Sequence, residues 1–111
     1  MPHCIVEYSE TLNERINEII CAVHSGAIAS ALFNEEDIKT RGISYNHYKV
    51  GKNRSSFIHV SSRILSGRNI EQKRKLNESI IEKIEQLDLG SCSITAEALD
   101  IETESYAKVI V

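Results

Sequence analysis

Proline is almost missing from this chain of 111 residues, which has one, Pro2. The three cysteines, Cys4, Cys21 and Cys92, are odd in number, far apart and without C-x-x-C spacing, which excludes a disulfide framework and a zinc site. Charge of one sign is lacking as well. The formal net charge is -3 with acids and bases interspersed, so no basic face is offered to nucleic acid or anionic lipid, and neither partner is expected. No apolar run approaches the length of a membrane span, and the N-terminus has neither the cationic start nor the apolar stretch of a signal peptide. The expected location is the cytoplasm.

Several catalytic plans are missing too. His3, His24, His47 and His59 lack metal-ligand spacing and fall on different expected elements, so no metal is called for. Ser61, Ser62 and Ser66 lie near His59, but no G-x-S-x-G elbow surrounds them. Gly67 opens no phosphate-cradling or dinucleotide pattern. Arg41 and Arg68 sit at the ends of expected elements; taken singly, each is more often a solvated charge than a ligand clamp.

What is present is the ordinary material of a globular domain, 41% hydrophobic and 26% charged, and one domain spanning 1–111 is expected. His3 to Tyr8 alternates with the two-residue period of a strand. Thr11 with Glu14 reads as a capping box, and Leu12, Ile16, Ile19, Ile20, Val23 and Ala27 follow at helical spacing. Ser25-Gly26 predicts a break or kink, with a second short helical piece through Ala29 to Phe33. A second strand is expected within Ile38 to Val50, ending at a turn over Gly51-Lys52-Asn53-Arg54. Ser56 to Leu65 predicts a third strand, with Ile58, Val60 and Ile64 on one face. Asn69 with Gln72 forms a second capping box before Leu76, Ile80, Ile84 and Leu87, in a helix expected to end at Gly90. Ser91 to Leu99 predicts a fourth strand, and Tyr106 to Val111 a short terminal one.

The order is β-α-β twice, with halves of about 1–50 and 55–111. The fold class is α/β (α+β), a four-stranded mixed sheet with both helices on one face plus the short C-terminal strand. Its strands carry apolar residues on both sides, so the face without helices needs a cover, most economically another copy of the chain.

Met1-Pro2-His3 and its strand, Ile38-Lys39-Thr40-Arg41, Phe57-Ile58-His59-Val60, and Ser66-Gly67-Arg68-Asn69-Ile70-Glu71-Gln72-Lys73 occur in a telling order. Along nearly its whole length the chain resembles the tautomerase superfamily, most closely the 5-carboxymethyl-2-hydroxymuconate isomerases. Gly67-Arg68 with Glu71-Gln72-Lys73 is the most specific inner motif; Glu97, Leu99, Asp100, Tyr106 and Lys108 fit the C-terminal pattern more loosely. The resemblance implies a homotrimer, no cofactor, and a mature chain that begins at proline. It further implies that Pro2 is the base that moves a proton, and that Arg68 and Arg41 hold carboxylate or carbonyl oxygens. The substrate implied is an unsaturated 2-hydroxy or 2-oxo di- or tricarboxylic acid from aromatic ring cleavage.

Such a site follows ordinary acid-base logic. A proline amine is more basic than other terminal amines, so neighbouring cations and an apolar pocket are needed to keep it neutral and proton-accepting. Met1 must be absent, because an acylated proline nitrogen is a planar amide with no basic lone pair. The alternatives are a non-catalytic oligomer of the same fold that binds a small anion, and a tautomerase for a different enol.

Overall fold

The computed structural model describes residues 1–52 and 55–111. The expected turn at Gly51-Lys52-Asn53-Arg54 thus lies partly outside the described residues. Strand β1 spans His3–Ser9, and a 3-10 segment, Glu10–Arg15, leads into helix α1, Ile16–Ala29. A second 3-10 turn, Glu35–Asp37, precedes β2, Lys39–Tyr45. The second half is β3, Ser56–Leu65, α2, Ile70–Glu85, and β4, Cys92–Ile101. The sheet order is β2-β1-β3-β4. β1 and β2 are parallel, as are β3 and β4, and the halves join through the antiparallel pair β1–β3.

The two-residue alternation of the strands selects the core. Cys4, Val6 and Tyr8 of β1 and Ile58, Val60 and Ile64 of β3 are buried on one side of the sheet, against Ile19 and Val23 of α1 and Leu76, Ile80 and Ile84 of α2. β2 presents only small side chains to that side: Thr40 meets His24 at 2.9 Å, and Gly42 lies under Tyr8, Ile16 and Ile20. The larger residues of β2 are thereby left for the other face.

The α2 start is as its sequence specifies. The Gln72 N–H donates to Asn69 Oδ1 and the Asn69 N–H to Gln72 Oε1, both at 2.9 Å, which satisfies two donors that a helix start leaves free. At α1 the outcome differs. Thr11 does not cap a helix; its hydroxyl meets that of Ser56 at 2.7 Å, residues 10–15 wind as a 3-10 segment, and the α-helix starts at Ile16.

Ser25-Gly26 does not interrupt α1. Gly26 is where the two helices touch, since a Cβ there would stand 2.6 Å from Ile80 Cα, and the Ser79 hydroxyl donates to Gly26 O at 2.8 Å. The glycine serves close helix approach rather than a turn. No helical piece extends to Phe33. Ser30 Oγ donates to Ala27 O at 2.6 Å, and Ala31 adopts φ 61°, a left-handed conformation that turns the chain out of the helix.

β2 ends at Tyr45 rather than Val50 because β1, its ladder partner among the described residues, ends at the paired Ser9. The strand expected over Tyr106–Val111 does not form. Its backbone finds no ladder partner among the described residues; side chains anchor Tyr106 and Lys108, while Val109, Ile110 and Val111 stay exposed. No helix among the described residues is long and apolar enough to cross a membrane.

The sheet face away from the helices is only partly the apolar surface expected. Ile43 and Leu99 are 48% and 39% exposed there, but they share it with Arg41, His3, and His59 bonded to Glu97 at 2.6 Å.

Gly26→Ala separates the two roles a helical glycine can have. Alanine favours a helix over glycine by about 1 kcal/mol, whereas overpacking costs about 1–3 kcal/mol. Urea unfolding should therefore show a net loss of up to about 2 kcal/mol for Gly26→Ala. The exposed Ser25→Ala should show none, and stabilisation by both changes would contradict the close contact.

Candidate functional site

β1 begins at the third residue, so the ladder holds the chain start in place. The Lys39 N–H donates to Pro2 O at 3.0 Å, continuing the β1–β2 pairing back to Pro2, which is fully buried. The Met1 ammonium donates to the carbonyl of Asp37 at 3.1 Å. Met1 lines a pocket of about 340 Å³ together with Phe33, Asp37, Arg68, Tyr106 and Lys108. A larger hollow of about 670 Å³ lies between α1 and α2, near Cys21, Lys83 and Leu87, and holds none of the expected site residues.

Arg68 reaches the pocket from the turn before α2. Its Nη2 donates to Leu32 O at 2.8 Å and its guanidinium lies 5.2 Å from the centre of the Phe33 ring, so the left-handed turn at Ala31 supplies both of its supports. Other guanidinium donors remain for a ligand. On the opposite wall, Lys108 Nζ pairs with Asp37 Oδ1 at 3.0 Å. The pocket thus gathers Arg68 and Lys108 against the single carboxylate of Asp37, and Asp37 is held below the usual carboxyl range by its Lys108 hydrogen bond.

The field at the chain start disfavours a positive amine. Burial, then Lys39, and more weakly Lys108 push the Met1 ammonium below its ordinary value, while Asp37 opposes them.

Arg41 lies elsewhere. Its side chain is on the sheet face away from the helices, outside the pocket lining, and its Nη1 donates to His3 Nδ1 at 3.0 Å. His3 Nε2 in turn meets the Tyr106 hydroxyl at 3.1 Å, with the two rings edge-on at 6.2 Å. His3 therefore links Arg41 to the pocket wall. Burial first, then Arg41, Lys39, the N-terminal amine and Arg63, lower its pKa.

Of the three expected site residues, Arg68 lines the pocket, Pro2 lies next to the pocket residue Met1, and Arg41 stands one histidine away. In the sequence His3 is a histidine without metal spacing, and Tyr106 is only a loose match to the family's C-terminal pattern. Their contact spans 103 positions, and no local pattern could announce it. Among the described residues no group of His, Cys, Asp and Glu could hold a metal ion.

The family model described as 5-carboxymethyl-2-hydroxymuconate isomerase matches residues 2–107. No curated protein matches the chain. Solved structures do. A 5-carboxymethyl-2-hydroxymuconate isomerase from Deinococcus radiodurans R1 is 20% identical over 97% of this chain and 88% of its own, with a TM-score of 0.79. A 5-carboxymethyl-2-hydroxymuconate delta-isomerase is 16% identical over 100% and 89%, with a TM-score of 0.78. A fused 4-OT symmetric trimer is 13% identical over 96% and 90%, with a TM-score of 0.79. Similarity at these identities establishes a shared fold.

The charges around His3 have a measurable consequence. The unfolded chain takes up this proton near about pH 6.5 and the folded chain at lower pH. The stability contributed by neutral His3 is therefore present above that pH and is lost as pH falls through the folded value. An NMR titration should show the His3 ring protonating below free histidine and Arg41→Met shifting it upward; an ordinary value insensitive to Arg41 would contradict the arrangement.

Proposed function

The chain belongs to the 5-carboxymethyl-2-hydroxymuconate isomerase family, and from that premise we propose that it is a cytoplasmic, cofactor-independent tautomerase whose base is the Pro2 nitrogen after removal of Met1. Its substrate is an unsaturated 2-hydroxy di- or tricarboxylate. One observation carries the reading: the chain start and Arg68 wall the same pocket, where burial, Lys39 and Lys108, opposed by Asp37, lower the pKa of the Met1 amine.

In the proposed reaction Arg68 holds a substrate carboxylate through its unused donors, with Lys108 adding positive potential. The neutral Pro2 amine takes the proton of the 2-hydroxyl: that O–H bond breaks, an N–H bond forms, and negative charge spreads over the dienolate. The ammonium then releases the same proton to carbon, so that the N–H bond breaks, a C–H bond forms, and the C–O bond becomes the carbonyl of the 2-oxo product. The proton moves within the substrate by way of the protein, and nothing is consumed. Arg41 assists the reacting end.

We also propose that three copies assemble through the open sheet face. Ile43 and Leu99 are exposed there, and the fused 4-OT structures of the same fold include a symmetric trimer. Light scattering should give three times the mass of one chain; a monomer at micromolar concentration would contradict this assembly.

The base is tested with 2-hydroxymuconate as probe, comparing protein with and without Met1 under identical conditions. Retained Met1 should slow ketonisation by about 10²–10⁴-fold, the usual worth of a positioned base. Pro2→Ala should keep the fold but turn over more slowly, since a primary amine replaces the secondary one. Equal rates with and without Met1 would rule out Pro2 as the base.

A further inference from the structure

We infer that Tyr106 donates a hydrogen bond to the substrate oxygen on which negative charge builds, and that Arg41 acts on the reaction as a positioning residue, through His3, rather than by touching substrate. This rests on the tautomerase reading of the same pocket and adds a residue to it.

Donors and acceptors decide the arrangement. A guanidinium can only donate, so in the 3.0 Å contact from Arg41 Nη1 the His3 Nδ1 must be the bare, accepting nitrogen. A neutral imidazole then carries its proton on Nε2, and a doubly protonated ring has no lone pair for Arg41. Nε2–H must donate in the 3.1 Å contact with Tyr106, which leaves the phenol oxygen as acceptor there. The phenolic proton has no acceptor in that contact, and Tyr106 lines the pocket shared by Met1 and Arg68. A donor whose oxygen already accepts a hydrogen bond is ready for an oxyanion without having to reorient.

The placement of Arg41 fits the same division. It lies outside the pocket lining while Arg68 lies within it. The groups facing His3 are Arg41, Lys39, Arg63, the terminal amine and Tyr106; burial first, then the cations, lower its pKa, in the direction of the single-proton ring that the Arg41 contact requires. Without Arg41 the ring would be free to exchange tautomers, and the Tyr106 proton could turn toward Nε2 and away from the pocket.

The test uses Met1-free protein and 2-hydroxymuconate. Tyr106→Phe should lower kcat by about 10²–10³-fold with KM little changed, because the bond is made to charge that exists mainly in the transition state. Arg68→Ala should instead raise KM. Arg41→Met should lower kcat and add a histidine ionisation to the pH profile, and Arg41→Lys, also donor-only, should recover much of the loss. Independently of activity, 15N NMR should find His3 with Nε2 protonated and Nδ1 bare. Wild-type kcat in Tyr106→Phe beside a raised KM in Arg68→Ala would overturn the role of Tyr106 while sparing the pocket. Protonation of His3 at Nδ1 would overturn the relay, and wild-type kinetics in all of these variants would remove both the inference and the function it rests on.

Discussion

A chain start normally frays unless something ties it down. Here the tie is the central strand of the sheet. β1 pairs with β2 on one side and β3 on the other from its first residue, His3, and the Lys39 N–H extends that ladder to Pro2 O. Proline has no N–H to contribute to a ladder, so the residue before the pairing begins is where it costs nothing. Its carbonyl is held while its nitrogen is left out of the ladder. A nitrogen fixed in this way can be paired with a pocket wall made by distant segments, and the rest of the site depends on that fixed point.

The wall is electrostatic as much as steric. Burial first, then Lys39 behind the wall and Lys108 in it, lower the pKa of the Met1 amine against the pull of Asp37, and Arg68 stands braced on Leu32 O and Phe33. These cations would repel one another in an empty pocket and are offset by Asp37, which takes Lys108 at 3.0 Å. In the proposed reaction Lys108 serves both ends, lowering the amine pKa and adding positive potential for an anionic substrate, while Arg68 is the clamp. Arg41 lies on the outer face of the sheet, where it donates to His3 Nδ1 at 3.0 Å.

Local rules succeeded where local interactions decide. β1 and β3 follow their alternation, and α2 follows its Asn69–Gln72 box, because backbone pairing and capping are settled within a few residues. Gly26 was misread because its reason is the backbone of Ile80, half the chain away, and glycine looks the same at a turn as at a helix crossing. Val109-Ile110-Val111 has the composition of a strand but no neighbour to pair with among the described residues. In the candidate site, the motif around Gly67-Arg68 pointed to Arg68, which lines the pocket, and Pro2 adjoins the lining residue Met1. His3 and Tyr106 were not, since their meeting depends on the sheet register and on where the tail returns.

Everything proposed for this site requires that the folded chain make the Pro2 nitrogen a base at neutral pH. The most direct measurement is a 15N NMR titration of Pro2 in the Met1-free protein. Pro2 should show a single ionisation well below that of an ordinary proline amine, moving upward when Lys39 and Lys108 are replaced by neutral residues. A Pro2 nitrogen that titrates at its ordinary value, indifferent to those lysines, would contradict it.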